Sequence, residues 1–200
     1  MMVILDNGHG INTDGKCSPD RRLIEAVYAR DIVRRVHAAL TAEGIPSTIL
    51  IPEDTDIPLS TRTTRANKIY NEQHRRETIL VSVHVDGFGL GKEWFDDRGG
   101  WSVRISPNAS TLSKTLADCI EAHAHDLPFP VRRQYANKSY WVQSLWICSR
   151  SACPAVLTEN LHQTNRAHVD YLLTEEGKQS IVDLHVAGIK DYFHRLNLIH

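Results

Sequence analysis

The chain is short of several things, and each shortage removes a class of function. No apolar run approaches the roughly 20 residues that a bilayer-spanning helix needs, so no membrane span is expected. Neither charge is in excess: 23 Lys and Arg stand against 24 Asp and Glu in 200 residues. A polyanion requires a basic surface, so nucleic acid is not an expected partner. The four cysteines, Cys17, Cys119, Cys148 and Cys153, form no C-x-x-C pair and no zinc-finger spacing. They read as reduced structural thiols, with a Cys148–Cys153 bridge left open. The first apolar run, Met1 to Leu5, is too short for a signal peptide and has no basic flank. It reads as a strand. No repeat, low-complexity tract or linker divides the chain, and 42% hydrophobic residues suffice for one core. Residues 1–200 are therefore expected to form a single domain.

What is present alternates between two periodicities. Val3–Asp6, Thr48–Ile51, Thr78–Val85, Trp101–Ile105 and Ala155–Glu159 read as strands. TILVSVHV is nearly all apolar and β-branched, as a strand buried on both faces should be. Between them, Arg21–Glu43 carries Leu23, Val27, Ile32, Val36, Ala39 and Leu40 at helical spacing, with Gly44 as the stop. Further helices are expected over Pro58–His74, with Ser60 as N-cap, over Ala109–His125, just after Asn165, and over Glu175–Leu196, capped by Thr174. A glycine-rich loop spans Gly87–Gly100, and Leu127–Ser151 is irregular or strand-like. This order predicts an α/β fold: a twisted, mainly parallel central sheet with helices on both faces. Such sheets bind ligands beyond the carboxyl ends of their strands. His9, His84 and Glu159 all fall at or just past such ends.

These positions suggest a chemistry. A hydrolytic zinc site uses three protein ligands of imidazole and carboxylate type and keeps one position open. It also needs a carboxylate to take and return a proton. His9, Glu25 and His84 supply the first set and Glu159 the second. Taken singly, each has a plain alternative. Glu25 could be a solvated acid suited to the helix dipole, and a strand-end histidine is commonly structural. A carboxylate inside the apolar PAVLTEN is harder to explain without a partner or a cleft.

Four segments, in order, carry a resemblance. LDNGHG, LIEA, VSVHVD and CPAVLTENLHQTN resemble the Asp-x-Gly-His-Gly, glutamate, Ser-x-His-x-Asn and Pro-Ala-x-Leu-x-Glu segments of the zinc-dependent N-acetylmuramoyl-L-alanine amidases of the amidase-3 type. LSTRTTRAN, containing Arg62, resembles a helix that follows that family's second strand, and the last segment ends at Asn165. The resemblance runs from Val3 to about Phe193. It implies a zinc-exopeptidase-like, or phosphorylase/hydrolase-like, scaffold. It implies one zinc ion held by His9, Glu25 and His84, with Glu159 as general base and then acid. It implies peptidoglycan as substrate, cut at the amide between N-acetylmuramic acid and L-alanine. Asp6, Asp86, Asn165 and Arg62 become supporting or substrate-contacting positions; Asp6 reads either as the partner of the His9 ring or, equally, as a strand-end acid capping the turn.

Departures are visible. Asn7 replaces a proline, Ile11 a glycine, Asp86 an asparagine that would follow His84, and His162 an aromatic or aliphatic residue. GFGLGK lacks the spacing and the Ser/Thr of a phosphate-binding loop and reads as a loop beside the site. His123, His125 and Asp126 imitate a metal cluster but end a predicted helix. Trp94, Trp101, Tyr135, Tyr140, Trp141 and Trp146 are split between core aromatics and a sugar-stacking wall. No separate wall-binding domain is expected. Without a signal peptide, the expected setting is a protein made in the cytoplasm that reaches the wall after release or by another export route, or one whose leader lies outside this sequence. The rival expectations are a zinc peptidase acting on free peptides and a decayed wall-binding protein.

Overall fold

The computed structural model describes residues 1–73, 77–89 and 91–199. Among the described residues, twelve elements follow one another: β1 Met2–Asn7, α1 Glu25–Ala42, β2 Ser47–Ile49, α2 Leu59–Glu72, β3 Thr78–Asp86, β4 Ser102–Ile105, α3 Thr111–Ala124, β5 Trp141–Val142, α4 Trp146–Arg150, β6 Ala155–His162, α5 Arg166–Leu172 and α6 Glu175–Arg195. The expected end of α2 at His74, and Leu90 within the glycine-rich loop, lie outside the described residues.

The strands form one six-stranded sheet in the order β2-β1-β3-β6-β4-β5. β2, β1, β3 and β6 run parallel, while β4 pairs antiparallel with β6 and carries β5 alongside it. The sheet is thus mainly parallel and mixed at one side, with helices on both faces. Side-chain alternation divides the core. Val3, Leu5, Ile79, Val81, Val83 and Val156 face the buried sides of α1, α3 and α6. Ile4, Leu80, Ala155 and Leu157 face α2 and α4.

The second face positions the site. Along β3 the same parity that buries Leu80 continues through Ser82, His84 and Asp86, and β1 does the same from Ile4 to Asp6. In register, Asp6 lies opposite Ser82, and His84 opposite Glu159. The face is therefore apolar where α2 and α4 cover it and polar toward the carboxyl ends of its strands. A register shift between His84 and Asp86, with Leu161 at φ 66°, brings His162 rather than Leu161 opposite Asp86. Such a bulge re-aims side chains at a strand end.

Several local expectations need correction. α1 starts at Glu25, not Arg21. Cys17 and Ile24 form a bridge, the Ser18 amide bonds the Leu23 carbonyl, and Arg21 sits at φ 62°, so residues 17–24 make a tight loop instead of a helical turn. With that start, Val27 points outward at 49% exposure, and Tyr28, Ala29, Ile32 and Val33 form the buried stripe. Ser60 is not the N-cap of α2. Pro58 occupies that position without a side-chain cap, which suits a residue that has no amide hydrogen of its own to satisfy. Thr174 does cap α6, and Ser110 and Asn165, not anticipated as caps, do the same for α3 and α5, each accepting from the amide three residues on. All four cysteines are buried free thiols, so Cys148 and Cys153 are not bridged.

Candidate metal centre

His9 follows β1 in a turn that the sequence makes unusually tight. A Cβ on Gly8 would lie 2.4 Å from the His84 ring, and one on Gly10 would lie 1.9 Å from the Asp56 amide nitrogen. Only glycine fits on either side. His9 itself has φ 57°, a left-handed conformation that a non-glycine residue adopts only when its surroundings hold it there. Two guanidinium groups do so: Arg30 and Arg62 each donate to the His9 carbonyl oxygen at 3.1 Å.

His84 reaches the same point from the end of β3, and Glu25 from the first turn of α1. Glu25 Oε1 lies 3.0 Å from His84 Nδ1, 3.5 Å from His9 Nε2 and 3.1 Å from the Val85 amide. The two imidazoles meet edge to face with ring centroids 5.0 Å apart. One ligand atom from each residue falls within 4.8 Å of the others, and among the described residues this is the one such group of three. Glu25 is only 1% exposed, yet its Oε2 is buried without a hydrogen-bond partner. A carboxylate so placed is costly unless a cation completes it. Two imidazole nitrogens beside an orphaned carboxylate oxygen are a donor set suited to a divalent metal.

The charges here are mutually adjusted. Burial pushes the His9 imidazole down to about 4, against the pull of Glu25. Burial also disfavours charge on Glu25, but the hydrogen bond and charge of His84 outweigh it and hold the carboxyl below its usual range. Burial would lower the His84 pKa as well, but Glu25 outweighs it and raises it.

Glu159 stands across from His84 on β6, 8% exposed. Its Oε1 lies 3.3 Å from Arg104 Nη1, and its Oε2 is buried without a partner. Burial pushes this carboxyl up to about 7; Arg104 opposes the shift and Asp86 adds to it. The cleft over these groups measures about 830 Å³ and is lined by His9, Glu25, His84, Arg104, Trp146 and Glu159 among others.

The supporting residues fall differently from expectation. Asp6 is not the partner of the His9 ring: its two oxygens bond Arg62 Nη1 at 2.8 Å and Ser82 Oγ at 2.5 Å. Its effect on His9 passes through Arg62, which spends its donors on Asp6, the Ile57, Asn7 and His9 carbonyls, and Asp56. Asp86 is held by Arg104 and Arg132. Asn165 does not line the cleft. It caps α5 and donates to the carbonyls of Asp96 and Arg98, fixing the loop between β3 and β4. His162 is fully buried, accepting from Arg132 Nη1 at 2.7 Å and stacking on Phe88. The decoy histidines are used elsewhere, His123 on Asp191 and His125 on Glu121. Of the six aromatics considered for a wall, Trp146 lines the cleft, 46% exposed, while Trp101 is fully buried with its Nε1 on Asn160.

Sequence reasoning missed Arg30 and Arg104. Alternation in WSVRI puts Arg104 on the side of Ser102, opposite the apolar Val103 and Ile105, a pattern that reads as a solvent face; its burial and the acidic company a buried arginine needs come from residues distant in sequence.

Comparison with known proteins gives a consistent picture. The N-acetylmuramoyl-L-alanine amidase family, amidase-3 type, matches residues 3–191. No curated protein sequence matches. Among solved structures, the catalytic domain of CwlV, an N-acetylmuramoyl-L-alanine amidase from Bacillus (Paenibacillus) polymyxa var. colistinus, superposes with a TM-score of 0.79 at 18% identity, covering 96% of this chain and 98% of that one. The amidase Ami1 from Mycobacterium smegmatis gives 0.78 at 22% identity, covering 98% and 97%. An amidase from Clostridium difficile 630 gives 0.78 at 19% identity, covering 96% of each chain. At these identities the likeness is one of fold.

Proposed function

The chain belongs to the N-acetylmuramoyl-L-alanine amidase family and is an amide hydrolase of peptidoglycan; on that premise we propose that His9, Glu25 and His84 hold one zinc ion and that Glu159 moves the proton. The observation that carries the metal assignment is the Glu25 carboxylate, buried between two imidazoles with one oxygen unpartnered. When bound, the metal supplies Lewis acidity toward the scissile carbonyl and acidifies water.

The chain's own groups do the rest. Glu159 has one oxygen engaged by Arg104 and one free, so Oε2 is the atom that takes a proton from the attacking water. The same atom returns it to the nitrogen of L-alanine as the amide breaks. Burial lifts this carboxyl to about 7 in the metal-free chain; beside a bound dication it is drawn back down, so that Glu159 starts the cycle as the base and still holds the proton long enough to return it. The reactive groups line the cleft. Trp146 stands on its α4 side, with the Arg150 guanidinium 5.1 Å from its ring centroid, and offers a flat apolar surface to a sugar ring.

The test is metal content measured together with release of L-alanine-linked peptides from peptidoglycan. About one zinc ion per chain, and release that a chelator stops and zinc restores, supports the reading. Release that survives complete metal removal overturns it.

A further inference from the structure

We infer that Arg104 is a positioning residue for Glu159, itself anchored by Asp86, so that three charges on three adjacent strands fix where the proton-transfer oxygen sits. The inference rests on the proton-transfer reading of Glu159 given above.

Glu159 is nearly enclosed, yet Arg104 supplies the one charged contact to its side chain among the described residues, Nη1 to Oε1 at 3.3 Å. Nothing bonds Oε2. A carboxylate tethered through one oxygen presents the other in a defined direction, whereas an untethered one rotates about its terminal torsion, which is soft.

The tether is itself braced. Arg104 Nη1 also donates to Gln143 Oε1 at 2.9 Å, and Nη2 is paired with Asp86. The second oxygen of Asp86 accepts from the Gly87 amide at 2.9 Å, and Arg132 approaches Asp86 at 3.3 Å. Arg104 is thus pinned between β3, β6 and the segment entering α4. Its planar fork reaches Asp86 and Glu159 at once, which a lysine ammonium could not do in a fixed geometry. The acid at position 86 and the arginine at position 104 explain each other. An asparagine at 86 would leave Arg104 without its strongest anchor, and a neutral residue at 104 would leave Asp86 and Glu159 as neighbouring acids with less to separate them.

The experiment is a double-mutant cycle in the zinc-loaded protein, with kcat and KM on muropeptide, metal content and melting temperature read for every variant. Arg104→Met is combined with Asp86→Asn, so that Asp86 is not left as a second unpaired acid beside Glu159, and the melting temperature reports whether the fold is kept. The expected result is a fall in kcat of about 100-fold, the scale of a misplaced catalytic group, with KM changed by less than about threefold and metal content unchanged. Arg104→Lys with native Asp86 should recover part of kcat, and it carries the test if the double variant melts early. Placed on a Glu159→Gln background, the Arg104 change should cost little more, because its target is already inactive.

A loss confined to KM would make Arg104 a substrate-binding group and overturn the inference. So would an undiminished kcat, or a full further loss on the Glu159→Gln background. If Glu159→Gln alone keeps wild-type turnover, the proton-transfer reading fails and the tether falls with it. If Glu159→Gln is inactive while the Arg104 variants are not, only the tether fails.

Discussion

The Arg62 guanidinium donates to the His9 carbonyl oxygen from a side chain that is 2% exposed and paired with the equally buried Asp6. The contact holds His9 at φ 57°, so the ring nitrogen is aimed by the backbone, not by a bond to the ring. Arg62→Met should therefore act twice. It strands a buried carboxylate, a loss of about 3–5 kcal/mol in comparable cases, seen as an earlier thermal transition. It also loosens the turn, with zinc affinity falling about 10- to 100-fold in a chelator competition. Arg62→Lys should not recover either quantity, because one ammonium cannot replace five directed donors.

Glu159→Gln keeps the shape of the side chain and removes its basicity. Turnover should fall by about 10²- to 10⁴-fold, while zinc content stays at the wild-type level. Loss of zinc from this variant would move Glu159 into the ligand set.

The Glu159 carboxyl also makes stability depend on pH in a direction opposite to that of ordinary ion-paired acids. Burial lifts it to about 7 from an ordinary 4.5. Between those values the folded chain keeps a proton that the unfolded chain has lost. Stability therefore falls as pH rises through that window and stays reduced above it. Metal-free Glu159→Gln should show a flatter melting profile there and melt higher above about pH 7. In the loaded enzyme the nearby dication favours the carboxylate, so the acidic limb of kcat/KM should lie below about pH 7.

Metal retention should follow the imidazole of His84. Its pKa is raised: burial works against the proton, but Glu25 more than compensates. A proton there competes with the metal, so zinc affinity should fall steadily as pH is lowered through the range in which His84 protonates. Glu25→Gln should weaken binding at every pH and flatten this dependence. Chelator competition across the pH range checks both.

Trp146 should matter for holding substrate and little for chemistry. Trp146→Ala removes a half-exposed ring from the cleft wall. KM for glycan-containing substrate should rise by about 5- to 20-fold, corresponding to 1–2 kcal/mol of apolar burial, with kcat nearly unchanged. A substrate lacking the sugar should not sense the change.

How much of this was legible in the chain itself depended on the range of the interaction. The strand in TILVSVHV and the cap Thr174 are local facts and were readable, whereas Asn165, expected near substrate, caps α5 instead. The convergence of His9, His84 and Glu25 was readable in part, because the strand-end rule gathers such groups. The true start of α1 was not, since the Cys17–Ile24 bridge and the left-handed Arg21 override helical periodicity. The burial of Glu25 hangs on that start. The reversal of β4 against β6 leaves no mark in its own four residues. Arg104 becomes intelligible only through Asp86 and Gln143, 18 and 39 residues away, and Asp6 only through Arg62, 56 residues on.

The two outermost strands are the shortest in the sheet, three residues in β2 and two in β5. An open sheet offers unpaired amides and carbonyls along its borders, and a long straight border is a template on which another chain can add itself. Here each border ends after a few peptide units, so little template remains. The four longer strands that carry the chemistry are interior or paired on both sides. The fold keeps its hydrogen-bonding capacity for itself and leaves copies of the molecule little backbone by which to aggregate.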